Sequence, residues 1–149
     1  MVIYEEQADY APWFKLIFLI PTGLIVGGVI AAFSPEVEAS IPLIIEGAFV
    51  VLLFYFILPR KYQILQYGLR IVLGKPFHID ISLSTIKEVK QEPGIKTYAY
   101  SGVRFATSTK NVVEIIRTKG MNYVISPQNS SIFMEQLNST VKEAARYRL

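Results

Sequence analysis

Two apolar stretches, residues 13–33 and 41–58, constrain this chain more than any other feature, because only seven residues separate them. At 1.5 Å rise per residue they would run about 31 Å and 27 Å as helices, close to the roughly 30 Å of a bilayer's hydrocarbon. Seven residues allow little more than a tight reversal. The pattern predicts a transmembrane helical hairpin over 13–59, preceded by a short N-terminal segment, 1–12. It is followed by a water-soluble domain, 60–149, large enough for a modest core of its own.

Charge sets the expected orientation. From Arg60 onward there are fourteen Lys/Arg against six Asp/Glu, whereas the first 59 residues hold one lysine and six acids. The loop between the apolar stretches has no base, while Arg60, Lys61 and Arg70 follow the second one. Positive residues stay on the cytoplasmic side. The expectation is a multi-pass protein of the inner (cytoplasmic) membrane, with both termini cytoplasmic. A cleaved signal peptide is disfavoured: residues 1–12 carry three acids and no base, and the first apolar run has full spanning length. There is no cysteine, hence no disulfide, thiolate metal site or lipoprotein anchor.

Within the first span, Gly23, Gly27 and Ala31 recur every fourth residue and line one helix face, so a neighbouring backbone can approach closely. The partner face is either the second span, through Gly47 and Ala48, or a second copy of the protein. Pro21 should bend or loosen the helix. Glu46 is the one acid in the spans. A carboxylate in hydrocarbon is costly and invites a functional reading, but a single acid without a partner makes a poor ion pathway, and its place near Ile41 favours a structural role. Trp13 and Lys15 at one boundary, and Tyr55, Arg60, Lys61 and Tyr62 at the other, suit the headgroup layer.

Beyond residue 61 the hydrophobic period shortens to two. Residues 62–65 and 69–73 flank the turn signal Gln66-Tyr67-Gly68, and Phe77, Ile79, Ile81 and Leu83 alternate with polar residues as in a half-buried strand. Further strands are expected near 97–100, 103–107, 112–117 and 121–125, separated by Gly- and Ser-containing breaks. Then the period lengthens: Phe133, Leu137, Val141 and Ala144 form one stripe of a helix predicted over 127–147, with Pro127 in its first turn and Ser126 or Asn129 as caps.

Short strands followed by one amphipathic helix, together with the stretches YGLRI, ISLSTIKEV and VISP leading into a helix with Phe133 and Leu137, resemble the bacterial PH-like membrane proteins. The resemblance covers roughly 61–137 and lies in fold-determining positions. It implies an α+β membrane protein: the hairpin, then a seven-stranded PH-like barrel capped by a C-terminal helix. Members of that family look like interaction or oligomerisation modules, with no catalytic motif to carry across. Phosphoinositide-binding PH domains gather Lys and Arg around their first hairpin; here the turn at 66–68 has only Arg70 nearby.

No enzyme assembles from these residues. His78, the single histidine, has Asp80 beside it but no nucleophile or second metal ligand, and 105–111 lacks the glycine spacing of a phosphate loop. No cofactor or metal is expected. Nucleic acid is not expected either, since the bases are scattered and the strand aromatics are core candidates first. The reading is therefore a non-enzymatic, membrane-anchored PH-like scaffold that self-associates or binds a partner membrane protein. A peripheral sensor of anionic lipid headgroups, or an accessory subunit of a transporter, are the alternatives. Candidate contacts are Arg60, Lys61, Arg104 and Lys110, and candidate hairpin determinants are Gly23, Gly27 and Glu46.

Overall fold

A computed structural model describes residues 1–35, 37–92 and 102–146. The chain divides into two units, one of Met1–Ala11 with Leu58–Leu149, the other Pro12–Ile57.

The larger unit takes its first strand from ahead of the apolar stretches. β1 (Val2–Gln7) pairs antiparallel with β2 (Lys61–Leu65), Gln7 opposite Lys61 and Val2 opposite Leu65. Two tight reversals add β3 (Gly68–Val72) and β4 (His78–Ser82), so the sheet order is β1-β2-β3-β4. Read from sequence, residues 1–12 form a segment apart; in the structure residues 1–11 are part of the soluble unit. The reason is hydrogen bonding: without β1, the outer edge of β2 would leave its N–H and C=O groups unpaired. The apolar hairpin is thus an insertion between the first two strands of a sheet.

A 3₁₀ turn, Leu83–Thr85, leads into the second sheet. Its strands β5 (Ile86–Glu92), β6 (Val103–Phe105), β7 (Val112–Arg117) and β8 (Tyr123–Ile125) lie in the order β5-β7-β8-β6, with β6 parallel to β8. The strand expected at 97–100 falls outside the described residues. Among the described residues no ladder joins the two sheets, so the expected seven-stranded barrel is replaced by eight strands in two four-stranded sheets. Side chains close the structure instead. Helix α3 (Ser130–Arg146; α1 and α2 are the two hairpin helices) touches β1, β2, β5, β7 and the 3₁₀ turn.

Period-two alternation places Tyr62 and Ile64 of β2, Leu69 and Ile71 of β3 and Ile81 of β4 in the core, against Val113 and Ile115 of β7 and Phe133 and Leu137 of α3. The predicted stripe on α3 is observed, with Val141 and Ala144 packed partly against the core. The helix nevertheless starts at Ser130. Pro127 lies before it in an isolated bridge to Ala8, and Asn129 accepts the first helical bond, from the Phe133 N–H at 3.0 Å.

The smaller unit contains α1 (Pro12–Ala31) and α2 (Val37–Ile57), both long and apolar enough to cross a membrane. α1 tightens to 3₁₀ at Leu16–Phe18, one turn ahead of Pro21, which has no N–H to offer the helix. Thr22 spends its hydroxyl on the Phe18 carbonyl at 2.8 Å. The helices meet through two glycines in reciprocal fashion. A Cβ on Gly28 would lie 2.6 Å from Ile44 Cγ1 and 2.9 Å from the Ser40 carbonyl; one on Gly47 would lie 2.6 Å from Ile25 Cγ1 and 2.9 Å from the Pro21 carbonyl. At Gly23 and Gly27 a Cβ would meet nothing within 4 Å among the described residues. The contact helix of this hairpin therefore lies on the Gly28 side of α1, and the Gly23–Gly27 stripe faces away from it.

Candidate functional site

The soluble unit has two chemically different ends. At one, the chain leaves for the hairpin and returns, and both departures are pinned. Ala8 N–H donates to the Arg60 carbonyl at 3.0 Å, Asp9 N–H to Ser126 at 2.7 Å and Ala11 N–H to Thr107 at 3.1 Å. Two buried hydroxyls add to this: Thr107 Oγ1 and Ser126 Oγ both donate to the Asp9 carbonyl, at 2.6 and 3.2 Å. Tyr62 continues the network, its hydroxyl donating to Phe105 O at 2.9 Å and accepting from Ser126 N–H at 3.2 Å. On the returning side Tyr10 donates to the Pro59 carbonyl at 2.5 Å, and Arg60 N–H to Val72 at 2.8 Å. Burial pushes the Tyr62 and Tyr10 phenols up, which keeps both as neutral donors. Ser126, a cap candidate in the sequence, is thus a clamp on residue 9.

The β1 edge is locked to the helix at the same end. Tyr4 donates its hydroxyl to Glu6, and that bond is the main cause pushing the Tyr4 phenol up to about 12. Asn129 donates to the other Glu6 oxygen at 3.3 Å, just ahead of α3. A carboxylate there also suits the positive end of the helix dipole.

The opposite end carries a cleft of about 690 Å³, open to solvent. Ile3, Tyr67, Leu83 and Ala144 give it apolar walls, with Ser82, Ser84, Thr140 and Glu143 as polar points. The β2–β3 turn places Tyr67 at its mouth, 78% exposed. A half-open apolar groove with scattered hydroxyls is the kind of surface that takes an extended segment or a small amphipathic ligand. Nothing in the sequence signalled it, since its walls come from four separate stretches.

Lys61 is held by Glu5, its Nζ 3.0 Å from Oε2, and Gln63 donates to the same carboxylate at 2.6 Å. Those two donors, Gln63 first, hold Glu5 below the usual carboxylate range. Arg104 Nε reaches the Ala106 carbonyl at 3.4 Å, and Lys110 is exposed. Arg60 and Lys61 stand at the pinned end, Lys61 opposite Gln7, while Arg104 lies on β6. On the outer face of the first sheet Arg70 and Asp80 form a two-point pair at 2.7 and 2.8 Å. That pair holds Asp80 below its ordinary value, with His78 Nε2 3.6 Å away. His78 and Asp80 are therefore neighbours on a surface where the arginine takes the carboxylate. Among the described residues no group of three or more His, Cys, Asp or Glu could hold a metal.

Glu46, the one acid expected within the spans, lies on α2. Because α2 begins at Val37, Glu46 stands about 13.5 Å along it, close to the helix midpoint. It is exposed, and among the described residues it makes no hydrogen bond or ion pair.

A family model described as "Bacterial PH domain" matches residues 60–141, more than half the chain. The chain belongs to the bacterial PH domain family. The match spans β2 to α3, and the structure supplies the first strand of this PH-like domain from ahead of the hairpin. PH-like domains are in general interaction modules without catalytic function. The first connection of this domain is the apolar hairpin, and the turn at 66–68 is its second. No curated protein and no solved structure matches the chain.

Proposed function

We propose that the protein is a membrane-anchored PH-like interaction module of the bacterial inner membrane, which presents its Tyr67 cleft to a partner protein or to a second copy of itself. The hairpin crosses the bilayer as two spans and holds the domain at high effective concentration on one face. Strand pairing supports the topology: β1 precedes the hairpin and β2 follows it, so their ladder requires both ends of the chain to lie on one side. The positive residues after Arg60 make that side the cytoplasm.

The observation that carries the protein-binding reading is the cleft itself. It lies at the end away from the pinned chain departures, its lining is mainly apolar, and the Tyr67 ring stands exposed on its wall. Exposed aromatics are enriched where proteins meet. Native mass spectrometry of the intact protein, extracted gently from its own membrane, tests this. A defined assembly is expected, homomeric or with a stoichiometric second protein, and Tyr67→Asp should reduce its population by about tenfold. A wild-type monomer, or an assembly indifferent to Tyr67→Asp, would defeat the reading.

A further inference from the structure

The turn between β3 and β4 lies at the pinned end of the soluble unit. Arg60 N–H donates to the Val72 carbonyl, and Lys61, Val72 and His78 stand side by side across β2, β3 and β4. The five residues from Leu73 to Phe77 are thus one strand's width from where the chain returns from α2. The turn is closed by two backbone bonds, Leu73 N–H to Phe77 O at 3.1 Å and Phe77 N–H to Gly74 O at 2.8 Å, so its tip is shaped rather than loose.

That tip holds what a water-facing turn avoids. Phe77 is 53% exposed, and Lys75 and Pro76 beside it are exposed too. Behind them is a shallow depression of about 210 Å³ bordered by Lys61, Arg70, Lys75 and His78. Glu5 and Asp80 neutralise Lys61 and Arg70, whereas Lys75 makes no ion pair among the described residues. An aromatic ring next to an unpaired lysine matches the boundary between acyl chains and headgroups, where rings favour the interface and each base near anionic lipid gains about 1 kcal/mol.

We infer that the Leu73–Phe77 turn is a third membrane contact, with Phe77 seated at the headgroup–acyl boundary and Lys75 on the phosphates of anionic lipid. The inference rests on the hairpin spanning the bilayer, as proposed above. A bilayer is the occupant argued for because the turn adjoins the return from an apolar helix and its spare charge is positive. A protein covering Phe77 instead is an outcome that would refute it.

The chain has one tryptophan, Trp13, which makes single-reporter variants straightforward. The full chain is reconstituted in phosphatidylethanolamine–phosphatidylglycerol vesicles that carry lipid brominated high on the acyl chain. Wild type reports on the hairpin, W13F/F77W on the turn, and W13F/Y67W on the opposite end. Expected is quenching by about half or more for wild type and W13F/F77W, and by under about a tenth for W13F/Y67W. Adding Lys75→Ala to W13F/F77W should lower its quenching about twofold in phosphatidylglycerol vesicles but not in phosphatidylcholine. Quenched wild type with unquenched W13F/F77W overturns the third contact and leaves the anchor standing. Unquenched wild type overturns the anchor and the contact together. Equal quenching at both ends also overturns it, since the domain would then have no membrane-facing end. A check free of variants uses a water-soluble amine reagent on wild-type vesicles: Lys75 should react about threefold more slowly than Lys119 in the same molecules, and equal rates would count against the contact.

Discussion

The hairpin and the soluble unit are held together by opposite means. α1 and α2 approach through the absence of side chains, at Gly28 and Gly47, where a single methyl would collide with Ile44 or Ile25. The soluble unit is held by the presence of large ones: Tyr62 and Phe133, fully buried, meet edge to face at 6.1 Å in its centre. In the hydrocarbon proposed for the hairpin, an apolar surface gains nothing by being covered, so contact depends on backbone proximity; in water it gains a great deal. The comparison teaches that removing side-chain volume should damage the soluble unit, whereas adding it at the contact glycines should damage the hairpin.

The largest effect that would break this contrast is at the aromatic centre. Phe133→Ala should cost about 3–5 kcal/mol of soluble-unit stability, read as the denaturant midpoint of the intact protein in detergent, with hairpin helicity unchanged. A hairpin that melts with it would mean that the two units share their stability. Enlarging a glycine comes next. Gly28→Val or Gly47→Val should force α1 and α2 apart at about 1–3 kcal/mol, seen as faster proteolysis of the intervening loop, whereas Gly23→Val should be silent. Equal damage at Gly23 would reveal a second chain packed on that stripe.

Smaller effects sharpen the picture of the pinned end. Ser126→Ala should cost about 1–2 kcal/mol and raise amide exchange at Asp9 and Ala11 first, because Ser126 Oγ helps satisfy the Asp9 carbonyl and the Thr107 N–H. Uniform exchange throughout the sheet would refute the local clamp. The smallest expected effect is on the outer surface. Asp80 titrates below its unfolded value, so its pair with Arg70 contributes fully above that unfolded value and is lost as pH falls through the folded one. Asp80→Asn should flatten that part of the stability–pH curve by no more than about 1 kcal/mol, since both partners are substantially exposed.

Much of this fold was legible in the residues because it is written locally. The two long apolar runs give α1 and α2, period two gives β2 through β4 and β7, and the Phe133–Leu137–Val141–Ala144 stripe gives α3. What escaped depends on distant partners. β1, Val-Ile-Tyr-Glu-Glu-Gln, does not alternate cleanly, and it becomes a strand only because β2 stands beside it more than fifty residues later. Gly23, Gly27 and Gly28 are indistinguishable by spacing alone; which face meets α2 is fixed by Ile44 and Ser40. The Tyr67 cleft was invisible for the same reason, having no local pattern to carry it.

Inserting the hairpin inside the sheet also has a consequence for how the chain is made. As β1 emerges from the ribosome, its ladder partner has yet to be synthesised, and both apolar helices must emerge first. The loop to be closed spans more than fifty residues, a costly closure for an open coil but less so once the helices have folded back on each other. Bilayer entry of the hairpin would bring Gln7 and Lys61 within reach before the sheet forms. With the hairpin spanning a bilayer as proposed, completion of the domain follows insertion in time, so a copy that misses the membrane lacks its first strand's proper setting.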